Sequence, residues 1–460
     1  MASEWPRVRI SEVCELIVDC VNKTAPKSEF PTEFKMLRTP NVKNGRVDTS
    51  NCFYVTEDTY LKWTRRATVN KNDVLLTREA PLGEVGIVKS EEKLFLGQRL
   101  MQYRADQTKL DPDFLVYSFL SPDLQHQFRM HEGSGSVVSH IRVGDCSKFE
   151  INLPPLTTQK SIAKILGELD QRIELNRKTN QTLEQMAQAL FKSWFVDFDP
   201  VVDNALAAGN PVPDELAHRV EVRKKAHALP DFQPLPEHIR NLFPNEFEQT
   251  GEPNLGIDGW VPKGWICKPV SQALIVNPKV KLSKGEVARF ADMKAIPTNG
   301  FHVEDIIEKE FNGGAKFQQN DVLLARITPC LENGKTALVD FLKKDEVGFG
   351  STEFIVLRGC GAISYPYVAC LSRLDSFRQH CIQNMVGSSG RQRVQNSCFD
   401  SFFLSLPKDE RLLTSFDRVC KPMFEKMTVS GTEINSLAKM RDTLLPRLIS
   451  GELKLNKDVA

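Results

Sequence analysis

Long apolar runs are missing from this 460-residue chain: nothing approaches about 18 consecutive hydrophobic residues, which leaves no candidate for a membrane-spanning helix. An excess of either charge is missing as well. Lys and Arg number 60 against 59 Asp and Glu, for a net charge of +1, so any surface that attracts nucleic acid has to be local. Eleven cysteines are present, but the count is odd and no CxxC pair occurs, so reduced, buried thiols are expected rather than a disulfide or zinc framework. The opening MASEWPRVRISEV has no apolar core of the secretory kind, and a cytoplasmic location is expected. Catalytic signatures are missing too. The eight histidines form no HExxH, and ENGKT at 332–336 ends like a phosphate loop but has Pro329 where the leading glycine belongs. NLPPL at 152–156 lacks the Asn directly before Pro-Pro that would hold a base amine. GFG (348–350) and GSGS (133–136) stand alone and read as loops. No group of Asp and Glu singles itself out as a nuclease site. These absences favour a binding protein over a catalyst, with catalytic residues and metal ligands both read as none.

What is present is length and repetition. At 460 residues the chain is too long for one ordinary core, so two or more domains are expected. Alternating steps of four and three residues from Ile162 pass through Leu166, Leu169, Ile173, Asn176, Asn180, Leu183, Ala187, Leu190 and Trp194. A period of about 3.5 residues sustained over this distance marks a coiled-coil strand, with a polar pair at its middle that would trade stability for register. Asp199-Pro200 is expected to stop it. Adding 254 to each position gives Phe416, Cys420, Met423, Met427, Ser430, Ile434, Leu437, Arg441, Leu444 and Leu448, a second strand in the same rhythm, which Pro422 and Gly431 weaken, so that its first part is expected either to kink or to form a separate short helix.

The echo extends to the segments before each rod. KNDVLLTREAPLGEVGIV (71–88) resembles QNDVLLARITPCLENGKTALV (319–339); Gly97 aligns with Gly350, and the turn GSGSVVSH (133–140) with GSSGRQRV (387–394). Short strand-like runs such as DVLLT, MQYRA, DVLLA and EFIVL precede one helical stretch in each copy. The expected fold is α+β: two related recognition domains separated by two long helices that form an antiparallel coiled coil, with a pseudo-two-fold internal repeat. The expected boundaries are 1–153 for the first domain, 154–199 for the central helix, 200–258 for a Pro-rich extended arm, 259–407 for the second domain and 408–455 for the C-terminal helix. A second apolar stripe, Met186, Phe191 and Phe195 on one rod and Met440, Leu445 and Ile449 on the other, is a candidate docking surface for two copies of another subunit.

The central text LPPLTTQKSIAKILGELDQRIELNRKTNQTLEQMAQALFKSWFVDFDPV, with DMKAIPTNGFHV at 292–303, GWVPKGW at 259–265 and LLPRLISGEL at 444–453, resembles the specificity subunits of type I restriction-modification systems. That resemblance covers essentially the whole chain. It implies that each domain reads one half of a bipartite site in double-stranded DNA and that the helices dock two methyltransferase subunits, through which restriction subunits join. S-adenosylmethionine, ATP and Mg are then expected in the partners, and no cofactor in this chain. Base reading calls for two-pronged hydrogen bonding from loops. On this reading the candidates are Arg38, Asn41, Arg78, Gln98, Arg99, Ser139 and His140 in the first domain, and Lys294, Thr298, Arg326, Ser351, Thr352, Ser389, Arg391 and Arg393 in the second. The rival expectation is a stand-alone methyltransferase or nuclease with an unrecognised active site; a coiled-coil adaptor without nucleic acid is a third.

Overall fold

The structure, a computed structural model, describes residues 5–130, 140–252, 255–388 and 390–455. Two compact units divide the chain, one formed by Met1–Glu174 with Ser436–Ala460, the other by Leu175–Asn435. The division falls inside each of two long helices, Leu156–Phe195 and Glu410–Ser450, rather than at the boundaries expected from composition. Both units are mixtures of short strands and helices, an α+β architecture.

In the first unit the six-stranded sheet runs in the order Cys14–Asp19, Leu100–Ala105, Val74–Arg78, Leu82–Ile87, Gly45–Val47, Val42–Lys43. Val74–Arg78 is apolar at its first three positions and buried on both faces, which is why it reads as a continuous run and not as an alternation. A smaller sheet sets Phe34–Leu37 parallel to Lys93–Leu96. Helices Pro112–Leu120 and Pro122–Met130 cover the larger sheet; Tyr103, Phe119, Phe128 and Phe149 stack edge to face between them. Ile162 and Leu166 of the central helix and Leu445, Leu448 and Ile449 of the C-terminal helix close the same core.

The second unit repeats this framework. Val322–Ala325 pairs antiparallel with Phe354–Arg358 in the register Val322↔Leu357, Leu323↔Val356, as Val74–Arg78 pairs with Leu100–Ala105 in the register Val74↔Tyr103, Leu75↔Gln102. Val287–Ala291 lies parallel to Val347–Gly350, the counterpart of the parallel pair in the first unit. The core gathers Phe191, Trp194 and Phe195 with Trp265, Tyr367 and Phe416; ring centroids lie 4.9 Å apart for Phe191–Tyr367 and 5.2 Å for Phe195–Phe416. Each fully buried aromatic of this kind is worth about 1.5–3 kcal/mol in transfer from water.

Within each unit the two long helices pack antiparallel. In the first, Asp170 meets Arg441 at 2.9 Å, while Asn152, just before the central helix, donates to the Ile449 carbonyl at 3.3 Å. In the second, Asn180 donates to the Met427 carbonyl at 3.2 Å, and Trp194 and Phe195 stack against Phe416. The seam positions from Ile162 to Trp194 are all buried or half-buried. Asn176 is 5% exposed and its side-chain amide nitrogen has no hydrogen-bond partner among the described residues.

Three expectations are corrected. The C-terminal helix is unbroken from Glu410 to Ser450: Pro422 lies on its exposed face, where the carbonyl left without an amide donor meets water, and Gly431 is buried against another part of the unit. The central helix ends at Phe195, earlier than Asp199-Pro200; Phe198 takes a left-handed φ of 53° and Pro200 lies in the first turn of a new helix, Asp199–Ala208, where its missing N–H costs nothing. Residues 200–258, where one short charged helical stretch, DELAHRVEVRKKAHAL (214–229), is expected within an extended arm, hold that helix as Ala217–His227, but they also hold the helix just described and a short one, Glu237–Arg240, and so are not an extended arm. Their few apolar anchors, Val201 and Phe243 among them, enter the second core, and Arg219–Asp199 and Arg223–Asp203 pairs at 2.5 Å tie the first two helices together.

Candidate nucleic-acid interface

The two units build the same small constellation from the same residue types. Asn72 and Asn320 both adopt φ 72°, a left-handed conformation that Asn tolerates, and so turn the chain into the following strand. The next residue is a buried aspartate, 1% exposed at Asp73 and 0% at Asp321. Its carboxylate accepts an N–H from the turn, Asn70 at 2.6 Å or Gln318 at 2.8 Å. A neighbouring strand supplies an arginine in two-pronged contact: Arg104 on Asp73 at 2.8 Å through both nitrogens, Arg358 on Asp321 at 2.6 and 2.8 Å. Hydrogen bonding to these carboxylates pushes both guanidinium pKa values further up. A buried charge is thereby compensated, and the strand that starts at each aspartate is fixed at its base.

That strand delivers Arg78 or Arg326 to its far end. The Arg78 N–H donates to the Arg99 carbonyl at 2.8 Å, its carbonyl accepts the Ile141 N–H at 3.0 Å, and its Nη1 donates to the Ile141 carbonyl at 3.0 Å. The Arg326 N–H donates to the Glu353 carbonyl at 3.0 Å, its carbonyl accepts the Val394 N–H at 2.9 Å, and its Nη2 donates to the Val394 carbonyl at 2.6 Å. The parallel strand pair brings two further loops alongside: Gly97 donates to the Leu37 carbonyl at 2.7 Å, and Ala291 is opposite Gly350. A side chain could not replace hydrogen at Gly97 or Gly350, because a Cβ would lie 2.5 Å from the Leu37 carbonyl oxygen or 2.6 Å from that of Ala291. Four chain segments thus converge in each unit, at residues 38, 78, 98–99 and 140–141 in the first and at 292–294, 326, 351–353 and 391–394 in the second.

The candidate residues separate into exposed and committed ones. Gln98 and Arg99 are exposed on one loop; Gln98 Oε1 accepts from the Thr24 hydroxyl at 3.5 Å, and Arg99 lies 3.5 Å from Glu79. Arg38 is half-buried, donates to the Asn51 carbonyl at 3.1 Å and stacks 3.7 Å from the centre of the Phe53 ring. Lys27 lies 3.6 Å from the same ring. His140 is half-buried beside Ile141. In the second unit Lys294, Thr352 and Arg391 are exposed, while Ser351 accepts the Glu353 N–H at 3.1 Å. Lys279, Lys281 and Lys284 are also exposed and, like Lys294 and Arg391, belong to no ion pair among the described residues. Lys279 and Thr352 both line a cavity of about 470 Å³ with Lys316 and Phe354.

Several candidates are corrected by what they already hold. Asn41 is 3% exposed; its side-chain carbonyl accepts the Arg38 N–H at 2.9 Å and its amide donates to the Asp48 carbonyl at 3.0 Å, so it is buried and turned to its own loop. Arg78 and Arg326 are half-buried and each commits one guanidinium nitrogen to the contacts above. Arg393 grips Glu353 through Nε and Nη2 at 2.7–3.0 Å and holds that carboxyl below its ordinary pKa. Thr298 is exposed, but its carbonyl accepts from Arg373, and its loop is tied to the long helices by Gly300 donating to Glu184 at 3.0 Å and by His302 against Asn435 at 3.2 Å. Ser139 and Ser389 lie outside the described residues. Of the candidate docking stripe, Phe191, Phe195, Leu445 and Ile449 are core residues, 1–8% exposed, whereas Met186 and Met440 are 50% and 51% exposed. A second apolar stripe on a helix has the same periodicity whether it covers its own domain or a partner.

Sequence reasoning missed Lys27 and Phe53, because a cation on an aromatic ring joins residues far apart in the chain and leaves no local pattern. It also missed the Asp73–Arg104 and Asp321–Arg358 pairs, although both begin in the ND repeat that was visible. Among the described residues no group of His, Cys, Asp and Glu could hold a metal ion, and no helix is long and apolar enough to cross a membrane.

Comparison with known proteins points one way. The family model described as "Type I restriction modification DNA specificity domain" matches residues 2–185. The chain is 26% identical over 413 residues to the type I restriction enzyme HindI specificity subunit of Haemophilus influenzae, covering 84% of this chain and 88% of that protein. It is 23% identical over 398 residues to the type I restriction enzyme MjaIX specificity subunit of Methanocaldococcus jannaschii, covering 84% and 79%. The fold is similar to the crystal structure of the S subunit of a type I restriction-modification system from M. genitalium, with a TM-score of 0.54 at 13% identity over 99% of this chain and 97% of that one.

Proposed function

Because this chain is similar over most of its length to specificity subunits of type I restriction enzymes, we propose that it carries the DNA sequence preference of such a complex, each unit reading one half of a bipartite target in double-stranded DNA. The observation that carries this is the twice-built convergence of four loop segments, which presents Gln98, Arg99 and Arg38 in one unit and Lys294, Thr352 and Arg391 in the other. Arg and Gln make the paired hydrogen bonds that distinguish guanine and adenine in the major groove, and the unpaired lysines suit phosphates, which position without specifying.

The long helices then have two tasks. They set the separation of the two half-sites, and their outer surface, with Met186 and Met440 exposed, receives methyltransferase subunits, to which restriction subunits attach. On this reading adenine methylation and cleavage are carried out in those partners. S-adenosylmethionine, ATP and Mg would be bound there, the present chain contributing no catalytic group, and the assembly would work in the cytoplasm.

Mapping methylated adenines across the host genome, with and without this gene, tests the proposal. The expected result is methylation at one motif made of two short specific halves around a nonspecific gap, all of it lost on deletion. An unchanged methylation map, or a motif without a gap, would overturn it.

A further inference from the structure

Arg78 and Arg326 were candidate base readers, yet each turns one guanidinium nitrogen inward in the same way, Nη1 of Arg78 onto the Ile141 carbonyl and Nη2 of Arg326 onto the Val394 carbonyl. The backbone N–H of each is donated to the loop that carries Arg99 or Glu353, and its carbonyl and guanidinium together clasp both backbone groups of Ile141 or Val394. Ile141 and Val394 are both 0% exposed, so each clasp closes over a buried apolar anchor immediately beyond His140 or Arg393. In both arginines Nε is itself buried and without a hydrogen-bond partner among the described residues. A guanidinium is weakly hydrated and rigid, so it can be half-buried against a backbone carbonyl at a lower cost than the strongly hydrated ammonium on the flexible stem of a lysine. The segment at 140–141 or 391–394 is thereby held onto the strand end in each unit, although the two sequences around the contact differ, TREAPLGEV in one and ARITPCLEN in the other; in the second unit the Arg393–Glu353 pair ties the same segment to a further loop. In the second unit further bonds reinforce it. Thr328 donates to the Gln392 carbonyl at 3.1 Å, and its hydroxyl accepts the Gln392 N–H at 3.2 Å.

We propose that Arg78 and Arg326 are positioning residues, one for each half-site, whose guanidinium bond holds the reading segment at 140–141 or 391–394 onto the end of the strand without touching DNA. The inference rests on the bipartite reading above and deepens it. A residue that contacts one base alters preference at that base; a residue that contacts a phosphate weakens binding uniformly. Loss of the guanidinium bond does neither, because the main-chain bonds remain while the segment it held loosens as a whole, with every reading side chain that segment carries or supports.

The test uses the full chain purified in complex with the subunits that assemble on it, selecting from a pool of duplex DNA that carries a random central stretch. The variants are Arg78→Ala, Arg78→Lys, Arg326→Ala and Arg326→Lys, with thermal unfolding recorded for each. For Arg326→Ala the expected outcome is a loss of discrimination of about tenfold, equivalent to 1.4 kcal/mol, spread over all specific positions of one half-site while the other half is unaltered. Arg78→Ala should blur the opposite half. Both lysine variants should resemble the alanine variants, since charge is retained but the carbonyl clasp is not. A change confined to one base position, or full rescue by lysine, would overturn the proposal by making the arginine a direct contact. If an alanine variant does not fold, the lysine variant with wild-type unfolding decides between the same outcomes. If the wild-type complex selects no bipartite motif at all, the function proposed above fails first.

Discussion

At the scale of single residues, the separation between exposed and committed polar groups decides what the interface has available to it. Arg393 shows the difference. From the sequence it is as good a candidate as Arg391, two positions earlier, but its guanidinium is closed on Glu353 in a two-pronged pair, whereas Arg391 is exposed and outside any ion pair among the described residues. Sequence cannot distinguish the two, because the partner lies on a different strand turn. The pair has a signature in titration. Arg393 holds the Glu353 carboxyl below its ordinary value of 4.5, so the carboxylate is the form the folded protein favours. The stabilisation is therefore present above that ordinary value and is lost as pH falls through the lowered one. Replacing Arg393 with Ala should return the Glu353 carboxyl upward toward its ordinary range, read from side-chain carboxyl carbon shifts in an NMR titration. An unshifted titration would mean that the pair does not persist in solution.

At the scale of elements, what was legible in the sequence was periodicity. The seam from Ile162 to Trp194 faces inward as its spacing requires, and the repeated NDVLL runs become equivalent strands in equivalent register. What was illegible was the reason for breaks in that pattern. Gly431 reads as a weak point in the C-terminal helix, yet the helix passes through it unbroken, because the glycine admits His302 from the loop at 297–304. A Cβ there would lie 2.4 Å from the imidazole ring, which is itself fixed by Asp340 at 2.7 Å and Asn435 at 3.2 Å. Two effects of opposite sign compete when Gly431 is replaced by Ala. Helix propensity favours alanine by about 1 kcal/mol. Overpacking against a held ring costs about 1–3 kcal/mol and should prevail, so Gly431→Ala is expected to be destabilising in denaturant unfolding. In a His302→Ala background the obstruction is gone, and the same change should become stabilising. No reversal of sign between the two backgrounds would show that the ring is not what excludes a side chain at Gly431.

At the scale of the whole molecule, duplication was the most informative thing the sequence offered, and it constrained architecture far more than recognition. Two copies of one framework, joined by two helices of 40 and 41 residues, were predictable from a shared rhythm at a near-constant offset. The loops proposed to read DNA were not, because recognition depends on which polar groups the fold leaves unspent, and that is settled by contacts such as Asn41–Asp48 and Arg326–Val394 that no periodicity encodes. The proposed function assigns to the helices the gap between half-sites, and this consequence is separable from the identity of the reading residues. Seven residues inserted after Glu174 and seven after Asn435, where each helix passes between the two units, keep the 3.5-residue seam in register on both strands. Each insertion lengthens its helix by about 10 Å. With base pairs stacked at about 3.4 Å, the gap in the methylated motif should grow by about three base pairs while both specific halves stay the same. Genome-wide methylation mapping of a strain carrying the lengthened gene reads the gap and the halves in one measurement. A gap of unchanged length with intact halves would separate recognition from the helices and assign the spacing to another part of the complex.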